Sequence, residues 1–261
     1  MPKDQKNLPE SLIYVKGQNG KAVLILHGFA SNIEQTDLLF KYFHGKGYTV
    51  ARPVMPGHTG DKNDLKQYGP DDWFAEANKW LDRLSADTES IYLVGISFGS
   101  NIALRLAAEG DPRIKAVVAW EMPIFFNWRI WFILNFLQPI FQLAGVEYIR
   151  KSGPLYRKNH AEREGAFAFV PVKVAGQIRS FIRRRTLKDF LKIQKPLLFL
   201  QAERSDLLNN VRAVDYVCKH IGPSLREVVC VPIDNHDINL LDEEGKIITM
   251  EKIYNFIRVI A

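Results

Sequence analysis

Apolar residues run without interruption over Ala22–Leu26, Ile91–Val94, Ala116–Ala119 and Leu197–Leu200. A short apolar run with no polar alternation is the pattern of a strand buried on both faces. Between these runs the period changes to that of helices. Asp37–His44 has helical spacing and stops near Gly45 and Gly47. Gly69-Pro70-Asp71-Asp72 opens a helix, with proline and two acids suited to a first turn, and Trp73, Phe74, Ala77, Trp80, Leu81 and Leu84 recur on one face. Asn101–Glu109 carries Ile102, Ala103, Leu106 and Ala107 on one side and stops at Gly110-Asp111-Pro112. Further strands are predicted over Ser11–Val15, Tyr48–Ala51 and Glu227–Val231, and further helices over Asn210–His220 and Gly245–Ile260. Strands alternating with helices predict an α/β fold whose mostly parallel sheet is flanked by helices.

The alternation breaks at Glu121 and resumes near Pro196. Ile124–Val146 is dense in aromatic residues, among them Phe125, Phe126, Trp128, Trp131, Phe132, Phe136 and Phe141. Arg129, Asn127, Asn135, Gln138 and Pro139 interrupt it, which argues against a membrane span. A helical cap inserted into the sheet domain fits better. The predicted organisation is core over 1–120, a basic, aromatic-rich helical cap over 121–193, and core again over 194–261.

Charge sharpens this division. The chain has a formal net charge of +6, yet Glu121–Lys195 alone holds 14 Lys and Arg against 5 Asp and Glu. The rest is slightly acidic, so the cap carries all the excess positive charge. Arg150, Lys151, Arg157, Lys158, Arg179 and Arg183-Arg184-Arg185 suggest attraction to an anionic membrane surface or an acidic substrate. A solvated helix face is the plainer alternative. No recognition motif supports nucleic-acid binding. Met1–Gly20 has no apolar stretch of the kind a secretory signal needs, and Cys218 and Cys230 make no disulfide framework. Both are expected to be reduced and buried, in a cytoplasmic protein.

The candidate chemistry sits at the end of the strand over Ile91–Val94. It runs into Gly95-Ile96-Ser97-Phe98-Gly99 and then directly into a helix. Strand, sharp turn and helix with serine at the apex hold a hydroxyl exposed on a strained backbone, above free N–H groups of the helix start. A tight turn with an idle serine is the bland alternative. Ala22–Leu26 likewise ends in His27-Gly28-Phe29-Ala30-Ser31. The backbone N–H groups of Phe29 and of Phe98, just after the serine, are the expected oxyanion hole, and Gly28 lets the backbone approach a substrate.

A serine hydroxyl needs a base. Of the six histidines, His236 is best placed, in the loop after the last predicted strand; His27 belongs to the oxyanion loop and His58 to the Pro- and Gly-rich loop over 53–60. A carboxylate should orient His236, and Asp206, after the strand ending at Leu200, is the first choice. Glu121, after the strand over Ala116–Ala119, is the serious rival, and Asp206 as a mere helix cap is the plain alternative.

Serine, acid and histidine in that chain order, together with Leu26-His27-Gly28-Phe29, Pro56-Gly57-His58, Gly69-Pro70-Asp71-Asp72-Trp73 and the Ser97 turn, resemble the α/β-hydrolase superfamily. Within it they are most similar to carboxylesterases and monoacylglycerol-lipase-like enzymes. The resemblance covers nearly all the chain outside the cap. It implies a central sheet of about eight strands, with the cap inserted after the sixth. Two departures stand out: Pro-Gly-His-Thr-Gly where the family usually has Pro-Gly-His-Gly, and Ser100 where a second glycine commonly follows the turn.

The expected activity is hydrolysis of carboxylic esters with an apolar acyl group through an acyl-enzyme. Ser97, His236 and Asp206 are the catalytic residues, and His27, Gly28, Trp128 and Trp131 are substrate contacts. The expected partner is a small-molecule ester, with no metal or organic cofactor. An acyl thioesterase or lysophospholipase would use the same residues. A peptidase of the same fold is a weaker alternative, and a non-catalytic binding protein on this scaffold is the alternative of a different class.

Overall fold

A computed structural model describes residues 9–150, 169–231 and 241–260. Its main sheet has seven strands: β1 (Tyr14–Val15), β2 (Lys21–Leu26), β3 (Thr49–Ala51), β4 (Ser90–Ile96), β5 (Ile114–Trp120), β8 (Leu197–Ala202) and β9 (Arg226–Val231). A separate pair, β6 (Tyr148–Arg150) and β7 (Phe169–Pro171), is antiparallel. The main sheet runs β1-β3-β2-β4-β5-β8-β9, parallel throughout except for β1.

Alternate residues of each central strand serve two cores, which is why the apolar runs have no polar partners. Leu24, Leu26, Leu93, Val117 and Phe199 face one core, packed by the helices Pro70–Ser85, Phe98–Ala108 and Asn210–His220. Val23, Ile25, Val94, Val118 and Leu198 face the other, under the helices Asp37–Gly45 and Glu243–Ile260. From β2 the chain moves outward to β3, then crosses back to β4 on the other side. The loops after β2 and β4 therefore leave in opposite directions, and the crevice between them is where α/β sheets bind ligands.

Between β5 and β8 no described residue joins the main sheet. This segment holds a helix Trp128–Phe132 that continues through a π-helical turn at Ile133–Leu137 into Gln138–Leu143. A second helix, Val172–Phe181, continues through a π-helical turn at Ile182–Thr186 into Leu187–Asp189. The second is tied to the core by polar contacts. Asn101 Nδ2 donates to Thr186 Oγ1 and to the Pro123 carbonyl, both at 3.0 Å, and Arg105 Nη1 pairs with Asp189 Oδ1 at 3.1 Å. Burial pushes the Asp189 carboxyl above its usual range, with Arg105 opposing the shift.

Two expectations are corrected. Only Tyr14 and Val15 of the predicted Ser11–Val15 strand pair with the sheet, because Glu10–Ile13 winds a helical turn. Cys218 and Cys230 are free but exposed. Cys230 lies on β9, the edge strand, where Arg226–Val229 are only half-covered, and Cys218 lies on the neighbouring helix.

Candidate active site

Among the described residues three non-glycines have positive φ: Ala30 at 50°, Ser97 at 51° and Glu121 at 48°. They follow β2, β4 and β5, which are adjacent in the sheet. Strained backbone of this kind persists only where surrounding structure enforces it, and it gathers at functional sites.

The Ser97 turn is enforced from both sides. The Ser97 N–H donates to the Trp120 carbonyl at 2.8 Å, and its own carbonyl accepts from Ser100 N–H at 2.9 Å. The flanking glycines leave no room for a side chain: a Cβ on Gly95 would lie 2.3 Å from Ser100 Cα, and one on Gly99 would lie 2.2 Å from the Leu26 carbonyl oxygen. Ser100, the departure from the family pattern, donates its hydroxyl to the Gly95 carbonyl at 2.7 Å and so closes the turn. Ser97 is half-buried, and its hydroxyl makes no hydrogen bond to a described residue. Phe98 opens the following helix, so its N–H has no intrahelical acceptor.

The loop after β2 presses against this turn. A Cβ on Gly28 would come within 3.0 Å of Ser97 Cβ. The loop is set by side chains on all sides. Gly28 N–H donates to Gln35 Oε1 at 2.7 Å and Ala30 N–H donates to His58 Nε2 at 3.1 Å. His27 Nε2 accepts from Met55 N–H at 3.0 Å, which puts the imidazole proton on Nδ1, 2.9 Å from the Gly28 carbonyl oxygen. Both nitrogens of His27 are therefore committed to backbone, which gives it a structural job in setting the loop. Phe29, Trp73, Phe98 and the cap residue Phe181 form a chain of ring contacts with centroids 5.5 to 5.6 Å apart. The cavity behind the loop, lined by His27, Met55, His58 and Ile102, is about 10 Å³, room for no more than a water.

Burial lowers the His27 pKa from 6.5 to about 4. The unfolded imidazole takes up its proton near pH 6.5 and the folded one only near pH 4, so the unfolded chain binds more protons between these values. Stability from the neutral ring is whole above pH 6.5 and is lost as pH falls to 4, by about 3 kcal/mol. Denaturant unfolding at pH 7 and pH 4.5 should show wild type losing more stability than His27→Asn. Equal losses would remove His27 as the cause.

On the acid side, Asp206 lies in the loop after β8 and is exposed. Its carbonyl accepts from Asn127 Nδ2. No described residue bonds its carboxylate. The helix that follows is capped by Asn209, whose Oδ1 accepts from Arg212 N–H at 3.1 Å, so Asp206 is not the cap. Glu121 is fully buried, and its Oε1 accepts from Ala202 N–H and, at 3.1 Å, from Asn210 Nδ2. With its amide nitrogen turned inward, Gln201 also donates to this oxygen at 3.1 Å. Glu121 thus holds the end of β8 and the start of the next helix, the two anchors of the Asp206 loop. His236 lies outside the described residues.

Trp128 and Trp131 are exposed on the helix Trp128–Phe132. Trp128 is 73% exposed with Arg129 over its ring, and Trp131 packs on Phe136. Among the described residues no ring contact or hydrogen bond joins either to the Ser97 cluster. Sequence reasoning missed Gln35, Asn127, Asn101 and Asn210. Each is a lone amide whose partner is set by the fold, and the one available signal was Asn127 immediately before a helical aromatic run.

The model of the alpha/beta hydrolase fold family matches residues 21–212. The chain belongs to the α/β-hydrolase fold family. It is 24% identical to a carboxylesterase of Bacillus subtilis (strain 168) over 246 residues, spanning 89% of this chain and 87% of that one. It is 30% identical to the thermostable monoacylglycerol lipase of Bacillus sp. (strain H-257) over 102 residues, 39% of this chain and 40% of that one. The monoacylglycerol lipase of Paleococcus ferrophilus has the same fold, with a TM-score of 0.77 at 15% identity, covering 95% of this chain and 98% of that chain. This family and these relatives support a hydrolase acting on esters.

Proposed function

We propose that the protein hydrolyses carboxylic esters with an apolar acyl group by a serine acyl-enzyme mechanism. The observation that carries this is the serine at φ 51°, backed by both β5 and the loop of β2, with N–H groups at Phe29 and Phe98 that donate to no described residue. Ser97 Oγ attacks the ester carbonyl while His236 takes its proton. The carbonyl oxygen becomes an oxyanion held by the Phe29 and Phe98 N–H groups. His236 then protonates the departing alkoxide. Water, activated by the same histidine, attacks the acyl-enzyme and releases the acid and Ser97. Asp206 holds the imidazole in the tautomer this requires and stabilises the imidazolium.

The aromatic row Phe29, Trp73, Phe98 and Phe181 supports an apolar acyl group, and the carboxylesterase and monoacylglycerol lipase relatives support an ester substrate. p-Nitrophenyl esters from acetate to palmitate, with a monoacylglycerol, a lysophospholipid and an acyl-thioester alongside, test it. The expected result is kcat/KM rising with acyl length on the oxyesters, with a weaker response to the thioester. Hydrolysis confined to the thioester, or no hydrolysis by folded protein, would overturn it.

The cap's exposed aromatic and basic residues support an anionic lipid surface as a further partner. Trp128, Trp131, Phe132, Phe136, Ile140 and Leu143 are exposed at helical spacing, and the cap also exposes Arg183, Arg184 and Arg185. No helix among the described residues is long and apolar enough to cross a membrane, so such a face would lie in the interface. Sedimentation with phosphatidylglycerol-containing vesicles should show binding that weakens with salt. Replacing Trp128 and Trp131 together by alanine should weaken it by about tenfold or more. Wild-type binding by that double variant would exclude the aromatic face.

A further inference from the structure

We propose that Gln35 is a positioning residue for the oxyanion hole, acting through the Gly28–Phe29 peptide. The inference rests on Ser97 being the nucleophile and Phe29 an oxyanion donor.

Three successive N–H groups leave the loop at Gly28, Phe29 and Ala30. The first donates to Gln35 Oε1 and the third to His58 Nε2, while the Phe29 N–H donates to no described residue. The Gly28 carbonyl is bound to His27 Nδ1. Across a trans peptide the N–H points opposite to the carbonyl, so the Phe29 N–H is turned away from His27. Gln35 fixes the other end of the same residue. Without its acceptor, Gly28 would be free to rotate at the one point in the loop with no side chain to restrain it.

Gln35 is built for this place. It is buried in the turn Ile33–Thr36, whose Ile33 carbonyl accepts from both Thr36 Oγ1, at 2.5 Å, and Arg52 Nη1, at 3.3 Å. A Cβ on Gly28 would meet Ser97 Cβ at 3.0 Å and Gln35 Oε1 at 3.1 Å, so the amide oxygen, the loop and the serine converge on one point. The amide is also neutral. It accepts a hydrogen bond beside the developing oxyanion without adding a full negative charge that would oppose it.

Removing an oxyanion donor outright costs roughly 10²- to 10³-fold in kcat, and loosening one should cost less, about 10- to 100-fold. The test is Gln35→Met, which keeps the shape and loses the acceptor, beside Gln35→Glu, which keeps an acceptor oxygen. The expected result for Gln35→Met is a fall in kcat of about 10- to 100-fold with KM within about threefold. An alkyl boronic acid, which forms a tetrahedral adduct on the serine, should lose affinity in parallel with kcat. Gln35→Glu keeps the acceptor oxygen but adds a negative charge beside the oxyanion, so it too should fall below wild type in kcat and in boronate affinity. If Gln35→Met does not melt cooperatively, Gln35→Asn, whose carbonyl falls one methylene short, takes its place with the same expectation. Wild-type kcat, or a kcat loss with boronate affinity unchanged, in a folded variant would overturn the proposal. Fluorophosphonate labelling of the same preparations separates the two failures. An unlabelled wild type overturns the Ser97 assignment and this inference together; a labelled wild type with an unaffected Gln35 variant overturns this inference alone.

Discussion

Ser97→Ala is expected to lower kcat on an activated ester by about 10⁵-fold or more while leaving the thermal transition of the protein in place. The two halves of this expectation have separate physical grounds. Turnover falls because alanine has no hydroxyl with which to form the acyl-enzyme. Stability holds because the Ser97 side chain bonds to no described residue, so its removal strands no partner. The bonds that enforce the turn, Ser97 N–H to the Trp120 carbonyl and Ser100 N–H to the Ser97 carbonyl, are backbone bonds that alanine keeps. The strain at φ 51° is the same for alanine as for serine. Kinetics with thermal melting of the same sample checks both. Retention of activity would remove Ser97 as nucleophile. Loss of activity with loss of folding would leave the variant uninformative about chemistry and contradict the account of how the turn is held.

Asp206→Asn should cost about 10⁴-fold in kcat, through loss of the charge that orients and stabilises the histidine. Glu121→Gln should cost no more than about tenfold where the protein folds. Its main effect should be on stability, because the Ala202 N–H and Asn210 Nδ2 donors, which share one carboxylate oxygen, would be met less well by a neutral amide oxygen. Leaving such buried groups badly paired costs about 1–3 kcal/mol. The two carboxylates thus separate by kind of effect as well as size. Steady-state kinetics and denaturant melts of both variants decide between them. A reversed order, with Glu121→Gln the inactive one, would make Glu121 the acid and Asp206 a surface residue.

Much of the fold was legible because its signals are local. Strands buried on both faces must be continuously apolar, and the runs over Ala22–Leu26, Ala116–Ala119 and Leu197–Leu200 are the centre of the observed sheet. The Ser97 turn was legible because steric crowding leaves only glycine at 95 and 99. What escaped depends on strand order and on distant partners. Cys230 lies in a run that looks like a core strand, and only its place at the sheet edge exposes it. Trp128 and Trp131 show the same limit from the other direction. The aromatic run of the cap leads to an expectation of substrate contact, and only the fold shows how exposed both rings are. Gln35 carried no signal, since one glutamine in a short polar loop has no periodicity, and its acceptor role appears only when the loop folds back on Gly28.

The Asn127 side chain links the two parts of the molecule that matter most for the proposed chemistry. Its Oδ1 caps the helix that bears the exposed aromatic face, accepting from Ile130 N–H at 3.0 Å, while its Nδ2 donates to the Asp206 carbonyl. The cap helix and the acid loop are therefore bonded at a shared residue.

The central claim is that Ser97 is a nucleophile activated by His236. Intact-mass measurement after reaction with a fluorophosphonate, followed by peptide mapping, tests it most directly on wild type, Ser97→Ala and His236→Ala. The account predicts one adduct per chain on Ser97 in the wild type, none in Ser97→Ala, and labelling slowed by about 10³-fold or more in His236→Ala. A folded wild type that takes up no label, an adduct on another residue, or His236→Ala labelling at the wild-type rate would contradict it.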